Sequence, residues 1–383
     1  MTYAQDTGRV EVPPHIYQSF LTKTGSECWG YGGVDVVGSD STIFPFSNPA
    51  LISANCFSAA IEFAKHYNAR GPFGFKYDNQ TIVPSYAVVQ FPVKDWKMAA
   101  GYANYYDLQI IFDPEPIQTI QQPAGTGEFW DAKIHIQLHT FFAAVQYSIH
   151  PKFSIGFTLA ANYFRRRDEI FHFEARGDDW SWQSVLGIAY RPDENLAFAA
   201  SFRYLNDIQY TVDVSDEGLF IASPDTEIVG VNEIPVASLQ REFTGYARFP
   251  WEFKVGLSYR FQTRFQIFAM VNFQEWSRVH PYYDDQQQFH IGLQARVFSG
   301  NRLSLGFFTQ WEADKGQYSL AKYLDQNFIT IGLSQKLFKK FQFNISFMDS
   351  RLFSNPEVER NYGEEADEFH QTKILLGLQY KFI

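Results

Sequence analysis

Residues 371–383 read QTKILLGLQYKFI. Ile374, Leu376, Leu378, Tyr380 and Phe382 fall on one face of an extended chain. Gln371, Lys373, Gly377, Gln379 and Lys381 fall on the other. This period of two suits a strand and not a helix. An unbroken apolar face backed by two lysines fits a wall with lipid outside and water inside. Upstream, Phe341, Phe343, Ile345 and Phe347 alternate with Gln342, Asn344 and Ser346, and Phe253, Val255, Leu257, Tyr259 and Phe261 alternate with Lys254, Gly256, Ser258 and Arg260. Phe289, Ile291, Leu293, Ala295 and Val297 alternate in the same way with His290, Gly292, Gln294 and Arg296. A large soluble β-sandwich or propeller is the alternative, but soluble strands average about five or six residues. These runs are roughly 10 to 20 residues long, as a tilted membrane-spanning strand requires.

Fourteen such runs occupy 58–68, 82–93, 96–109, 131–150, 153–175, 179–192, 196–214, 247–261, 265–280, 286–298, 302–313, 323–338, 341–353 and 370–383. Short connections (Lys94-Asp95, Pro151-Lys152, 193–195, 262–264, 299–301, Lys339-Lys340) alternate with mostly longer ones (69–81, 110–130, 215–246, 281–285, 314–322, 354–369). Outer-membrane barrels have short periplasmic turns and long external loops. The expectation is a 14-stranded antiparallel transmembrane β-barrel with both termini periplasmic. The last loop holds Glu357, Glu359, Glu364, Glu365, Asp367 and Glu368 against Arg360 and reads as a solvated acidic loop.

Composition agrees. Phe 39, Tyr 22 and Trp 8 make up 18% of the 383 residues, although only 45% are hydrophobic. No 18-residue window is continuously apolar, which excludes a helical membrane protein. A net charge of −10, from 32 Lys and Arg against 42 Asp and Glu, argues against nucleic-acid binding. Residues 1–57 do not alternate and are rich in Gly and Pro. Fourteen strands at about 4.8 Å spacing and roughly 40° tilt enclose a bore of about 28 Å. The chain therefore divides into an N-terminal hatch (1–57), filling the lumen with residues 10–55, and a barrel (58–383). The start, Met1 to Asp6, looks like the end of a signal peptide with Thr2 and Ala4 at its cleavage site; alternatively, Met1 is an added initiator. Cys28 and Cys56 either pair, closing a loop of about 28 residues worth roughly 3 kcal/mol, or remain two buried thiols.

No catalytic constellation is present. His135 and His139 share a face but stand about 13 Å apart on a strand, too far to chelate one metal. Neither a cofactor nor a metal is expected, and the chain does not read as an enzyme. Alternation does break twice. On the third strand Trp96, Met98, Ala100 and Tyr102 face lipid, but Asn104 follows them, after the small residues around Gly101. On the fourth, Ile134, Ile136, Leu138 and Phe142 read as outward, and Val145, Tyr147 and Ile149 read as outward later. A β-bulge near 141–144 would reconcile the two phases.

Gly32-Gly33, then Asp40-Ser41-Thr42-Ile43-Phe44, then Asn48-Pro49-Ala50, just ahead of the first strand, resemble the hatch pattern of the FadL-type outer-membrane transporters of long-chain fatty acids and other hydrophobic compounds. The motif identity covers about 20 residues, the architecture the whole chain. Two features depart from the pattern: a very short connection after the fifth strand, and Ile383 after the usual terminal aromatic. Gly377, Tyr380 and Phe382 look like the signal read by the barrel-assembly machinery of Gram-negative bacteria. The resemblance implies passive lipid or fatty-acid transport across the outer membrane, with ligand leaving sideways through a wall opening near Gly101 and Asn104. Lumen-facing Phe268, Met270 and Phe308 would hold the apolar ligand, and Arg203 a carboxylate head group. The implied partners are outer-membrane lipid and lipopolysaccharide, a hydrophobic small molecule, and the assembly machinery. A second reading is an adaptor or shuttle in outer-membrane protein secretion, with protein partners at the acidic external loops.

Overall fold

The alternating runs fold as strands that close on themselves. A computed structural model describes residues 9–11, 25–38, 45–52, 58–68, 75–76, 82–116, 129–170, 173–216, 241–281, 283–298, 300–311, 313, 326–337, 340–350 and 371–382. Cys56, the proposed processing site at Met1 to Asp6, the acidic loop at 354–369 and Ile383 lie outside these residues.

The strands are β1 (Ser58–Asn68), β2 (Val83–Val93), β3 (Trp96–Pro116), β4 (Phe129–His150), β5 (Phe153–Ile170), β6 (Phe173–Tyr190), β7 (Leu196–Leu205, resuming as Ile208–Asp216), β8 (Arg241–Ala247, resuming as Glu252–Phe261), β9 (Phe265–Gln274), β10 (Gln286–Phe298), β11 (Asn301–Gln310), β12 (Gln326–Leu337), β13 (Phe341–Asp349) and β14 (Gln371–Lys381). Each pairs antiparallel with the next, and β14 pairs with β1 from Gln371↔Asn68 to Lys381↔Ser58, which closes a 14-stranded barrel. Two short strands lie outside this count. Arg9–Glu11 runs parallel beside β8, and Phe75–Lys76 pairs with β3. The connection after β5 falls at 171–172, earlier than the expected 176–178, because alternation alone cannot locate a turn between two runs of equal period.

Polarity is inverted relative to a soluble protein. Glu62, Gln90, Asn162, Gln183, Ser258, Gln294, Ser346 and Lys373 are buried inside. Leu186, Ile188, Ile291, Leu305 and Ile331 are about half exposed outside. Aromatic side chains mark both edges of this apolar band. At the short-turn end, Trp96 packs on Tyr147 (4.8 Å), and Phe341 and Phe382 pack on Tyr380 (4.6 and 4.4 Å). At the other end, Trp182 and Trp251 pack on Tyr204 (5.1 and 5.2 Å). From Trp180 to Tyr190 along β6 is about 33 Å of strand, or roughly 25 Å of height at a 40° tilt, the thickness of a membrane barrel's apolar band.

Residues 25–38 and 45–52 lie inside the ring, since they touch inward-facing residues of opposite walls. Helix α1 (Ser26–Gly30) starts where Glu62 of β1 accepts hydrogen bonds from the backbone N–H of Gly25 (2.6 Å) and Ser26 (2.8 Å) and from the Ser26 hydroxyl (2.8 Å). Gly32 and Gly33 then turn the chain with φ of +84° and +73°, a region costly for side-chain-bearing residues. The turn presses flat against the wall, where a Cβ at Gly292 or Gly306 would collide with the Tyr31–Gly32 backbone. Asn48 caps the 3₁₀ turn Pro49–Leu51 by accepting from Ala50 N–H at 3.0 Å, and donates to the Val36 carbonyl at 2.8 Å. Sequence proximity predicts Asn48-Pro49-Ala50 beside the first strand. The structure places it across the lumen, against Gly156 of β5 and Gly187 of β6, where missing side chains leave room. Cys28 is buried, and its thiol donates to the Gly25 carbonyl (3.1 Å).

The wall glycines thus serve close approach. Gly306→Val should overpack the interface and destabilise the barrel by about 1–3 kcal/mol. This would appear as a lower guanidinium midpoint by tryptophan fluorescence, while outward-facing Ala100→Val should leave the midpoint unchanged.

Candidate functional site

The lumen has two inner surfaces. Phe268 and Met270 on β9, Phe308 on β11 and Arg203 on β7 are buried inside, and the N-terminal segment packs against them. Phe268 stacks on Tyr31 with centroids 4.1 Å apart. Phe308 lies between Trp29 (5.0 Å) and Phe328 (4.6 Å). Met270 lines a cavity of about 50 Å³ together with Trp29, Asp35, Phe46, Arg203 and Lys254. That volume holds one or two waters and no fatty acid.

Arg203 makes charge and ring contacts with its surroundings. It pairs with Glu252 at 3.1 Å, donates to the Phe46 carbonyl at 3.1 Å, and stacks over the rings of Phe46 (4.6 Å) and Tyr105 (4.9 Å). Glu252 also accepts from Gln274 (2.9 Å) and stands 3.9 Å from Lys254. Lys254 in turn meets Asp35 at 2.8 Å. Two cations and two anions therefore alternate through the buried centre and tie residues 25–52 to β7 and β8. Burial raises the Asp35 carboxyl, but Lys254 and a hydrogen bond from Ser47 outweigh it and hold the group below its ordinary value. Its stabilisation is therefore in place above the ordinary carboxylate pKa and is lost as pH falls through the lower folded value.

The second inner surface lies on β2 to β8, toward the long connections, and alternation misread it. Ile136, Leu138 and Phe142 are 1%, 0% and 4% exposed and point inward, whereas Phe141 is 49% exposed. No bulge interrupts β4 at 141–144, since its ladder with β5 runs unbroken from Ala132↔Ile170 to Ser148↔Ser154. The inner face itself turns apolar there, so the apolar residues change face without any slip in register. Tyr86, Tyr105, Tyr106, Phe164, Leu205 and Phe249 extend the same buried surface.

The irregularity sits on β3. Gly101 is paired on both sides, with Val88 and Phe142. Three residues on, Asn104 pairs with His139 and Tyr106 with Leu138, which leaves Tyr105 as the extra residue of a bulge. Both tyrosines are buried, Tyr105 against Phe46 and Phe249 and Tyr106 against Phe249. The β2–β3 ladder ends at Tyr86↔Ala103, and among the described residues pairing with β3 resumes only at Lys76↔Ile111. Asn104 is buried, and its amide N–H donates to Asp107 at 3.1 Å, beside His135 (3.1 Å) and Gln137 (3.2 Å) on the same carboxylate.

No family model matches this sequence, and no curated protein matches it. Solved structures do share the fold. A FadL homologue from Pseudomonas aeruginosa superposes with a TM-score of 0.63 at 14% identity, over 95% of this chain and 100% of that one. The toluene transporter TbuX of Ralstonia pickettii gives 0.63 at 13%, over 95% and 99%. The monoaromatic hydrocarbon channel CymD gives 0.60 at 12%, over 94% and 98%. At these identities the likeness is one of fold, and it is the fold that the hatch motif and the strand count imply.

The central charge network gives a direct test. Lys254→Met would leave the buried Asp35 carboxylate without its ion-pair partner, while Glu252 keeps Arg203, and should cost about 3–5 kcal/mol. The denaturation midpoint should fall, and the loss should shrink at a pH acid enough to protonate the carboxylates.

Proposed function

We propose that the protein is a passive outer-membrane channel for hydrophobic small molecules. The observation that carries this reading is the apolar inner surface of β2 to β8, which leads to the bulge at Tyr105. A polar lumen would favour water and hydrophilic solutes. An inner face in which Tyr, Phe, Ile and Leu side chains outnumber interspersed polar ones such as Thr140 and Asn162 favours an apolar ligand, by roughly 25 cal/mol for each Å² removed from water. The fold shared with a toluene transporter and a monoaromatic hydrocarbon channel supports the same ligand class.

In this reading the short-turn end and both termini face the periplasm, and residues 1–57 form a hatch that closes the bore. Ligand enters between the long connections, crosses the apolar surface and leaves sideways between β2 and β3, beyond Tyr86↔Ala103. Every missing ladder bond leaves backbone groups that must find other partners in lipid, so an interruption at this depth calls for a role. The group at Asp107 supplies polar partners on the outer side of the same place. Arg203, with its charge already matched by Glu252, serves the hatch interface in this reading. No energy-coupling motif is present, so the concentration gradient drives uptake. Gly377, Tyr380 and Phe382 keep their proposed role as an assembly signal, and Gly377 has a second reason to be small: a Cβ there would collide with the Ser26 hydroxyl.

Deleting Tyr105 would remove the bulge between Asn104 and Tyr106 and make the β3–β4 ladder continuous there. Cells expressing this variant should lose most uptake of a radiolabelled long-chain fatty acid or toluene while the barrel still assembles. Normal uptake would overturn sideways release. Deleting residues 10–55 should raise single-channel conductance sharply in planar bilayers; unchanged conductance would mean that something other than the hatch closes the lumen.

A further inference from the structure

The short-turn end of the barrel holds another cavity, of about 270 Å³, unlike any surface described so far. Six cations line it: Arg260, Arg264, Arg296, Arg302, Lys336 and Lys381. No Asp or Glu stands among its described lining residues. In a chain of net charge −10, six of the 32 Lys and Arg side chains have therefore gathered in one place.

The fold creates this concentration. Arg260, Arg296, Arg302, Lys336 and Lys381 belong to β8, β10, β11, β12 and β14, and each continues the inward-facing series of its strand. Arg264 adds a sixth charge from the turn between β8 and β9. Arg296 and Arg302 stand directly opposite each other in the β10–β11 ladder. Like charges in directly opposed positions destabilise a sheet, and an anion held between them reverses the sign of that interaction. Arg302 also meets Glu27 of α1 at 2.9 Å. Arg264, Arg296, Lys336 and Lys381 form no ion pair among the described residues.

We propose that this pocket is an anion site for a ligand carrying two or more negative charges on phosphate or carboxylate oxygens. The planar forks of Arg296 and Arg264 suit oxyanions in two-point contact, and Lys336 and Lys381 add point charges. Gln266 supplies a neutral donor in the lining. The volume admits a pyrophosphate-sized group, since one water occupies about 30 Å³ in the liquid. The charged lining excludes the apolar molecules of the uptake route, so this site takes a second class of ligand and stands or falls independently of that route. On the orientation proposed above it opens to the periplasm, where the ligand is either a soluble polyanion or the head group of an anionic lipid.

The full-length protein in phosphatidylcholine nanodiscs, titrated with pyrophosphate by calorimetry, tests this. Saturable one-site binding that weakens as salt is raised is expected, with at least a tenfold weaker dissociation constant in the Arg296→Gln/Lys336→Gln double variant. Arg191→Gln, at an exposed position beside another short turn, should bind as the parent does. Heat-modifiable gel migration verifies that each variant is folded. Pyrophosphate binding suppressed in discs containing phosphatidylglycerol assigns the site to lipid head groups; binding unaffected by that lipid assigns it to a soluble ligand. Absence of saturable binding, or an equal loss in Arg191→Gln, would overturn the proposal. So would binding of an acidic polyglutamate peptide with no binding of pyrophosphate or phosphatidylglycerol, which would make the pocket a protein-docking surface.

Discussion

The β14–β1 ladder is the contact on which the rest depends. Its eleven register pairs, from Gln371↔Asn68 to Lys381↔Ser58, join the last strand to the first. In hydrocarbon an open sheet edge would leave a row of backbone N–H and C=O groups without partners, at several kcal/mol each. Closure removes the edge, and once the ring is closed every strand must turn one face to lipid and one to the lumen. The period-two alternation, the aromatic belts and the inverted polarity all follow from that requirement.

Closure also creates a bore that needs filling, and the inner wall is shaped for the filler. Small side chains at Gly292, Gly306 and Gly332 let the chain from Gly30 to Gly32 lie against β10 to β12, and Gly156 and Gly187 do the same for Asn48 and Pro49 on the far side. Between these two footholds, Asp35, Lys254, Glu252 and Arg203 form the buried charge network. Ion pairs in low dielectric recover their desolvation cost only with good geometry and further hydrogen bonds. Ser47, Gln274 and the Phe46 carbonyl supply those bonds. The network fixes position through matched partners, a function apolar contacts on a polar wall could not perform.

The wall is not symmetric around its circumference. β3 to β6 have 21, 22, 18 and 18 residues, and β9 to β14 have 9 to 13. The tall side carries the apolar inner surface, the bulge at Tyr105 and the foothold of Phe46 to Ala50; the short side carries the Gly30–Gly32 turn and, at its turn end, the cluster of cations.

The sequence by itself determined the strand number, the closed antiparallel class and the outward face of nearly every strand, because an alternating run reports locally which side meets lipid. It also marked the N-terminal segment as something other than wall, and placed Phe268, Met270, Phe308 and Arg203 on the inside. It misread β4, since alternation assumes that the inner face is polar, and the inward-facing Ile136, Leu138 and Phe142 are apolar. It marked the stretch from Gly101 to Asn104 as irregular, but only the pairing with β4 identifies Tyr105 as the extra residue, because a bulge is defined by pairing with a neighbour and not by one strand's composition. Only the tertiary structure showed that Asn48 reaches β5 and β6 across the bore, that Arg203 already holds Glu252, and that six cations from distant strands meet at one end. Those facts depend on which residues a closed ring brings face to face, and sequence spacing carries no record of distance across a barrel.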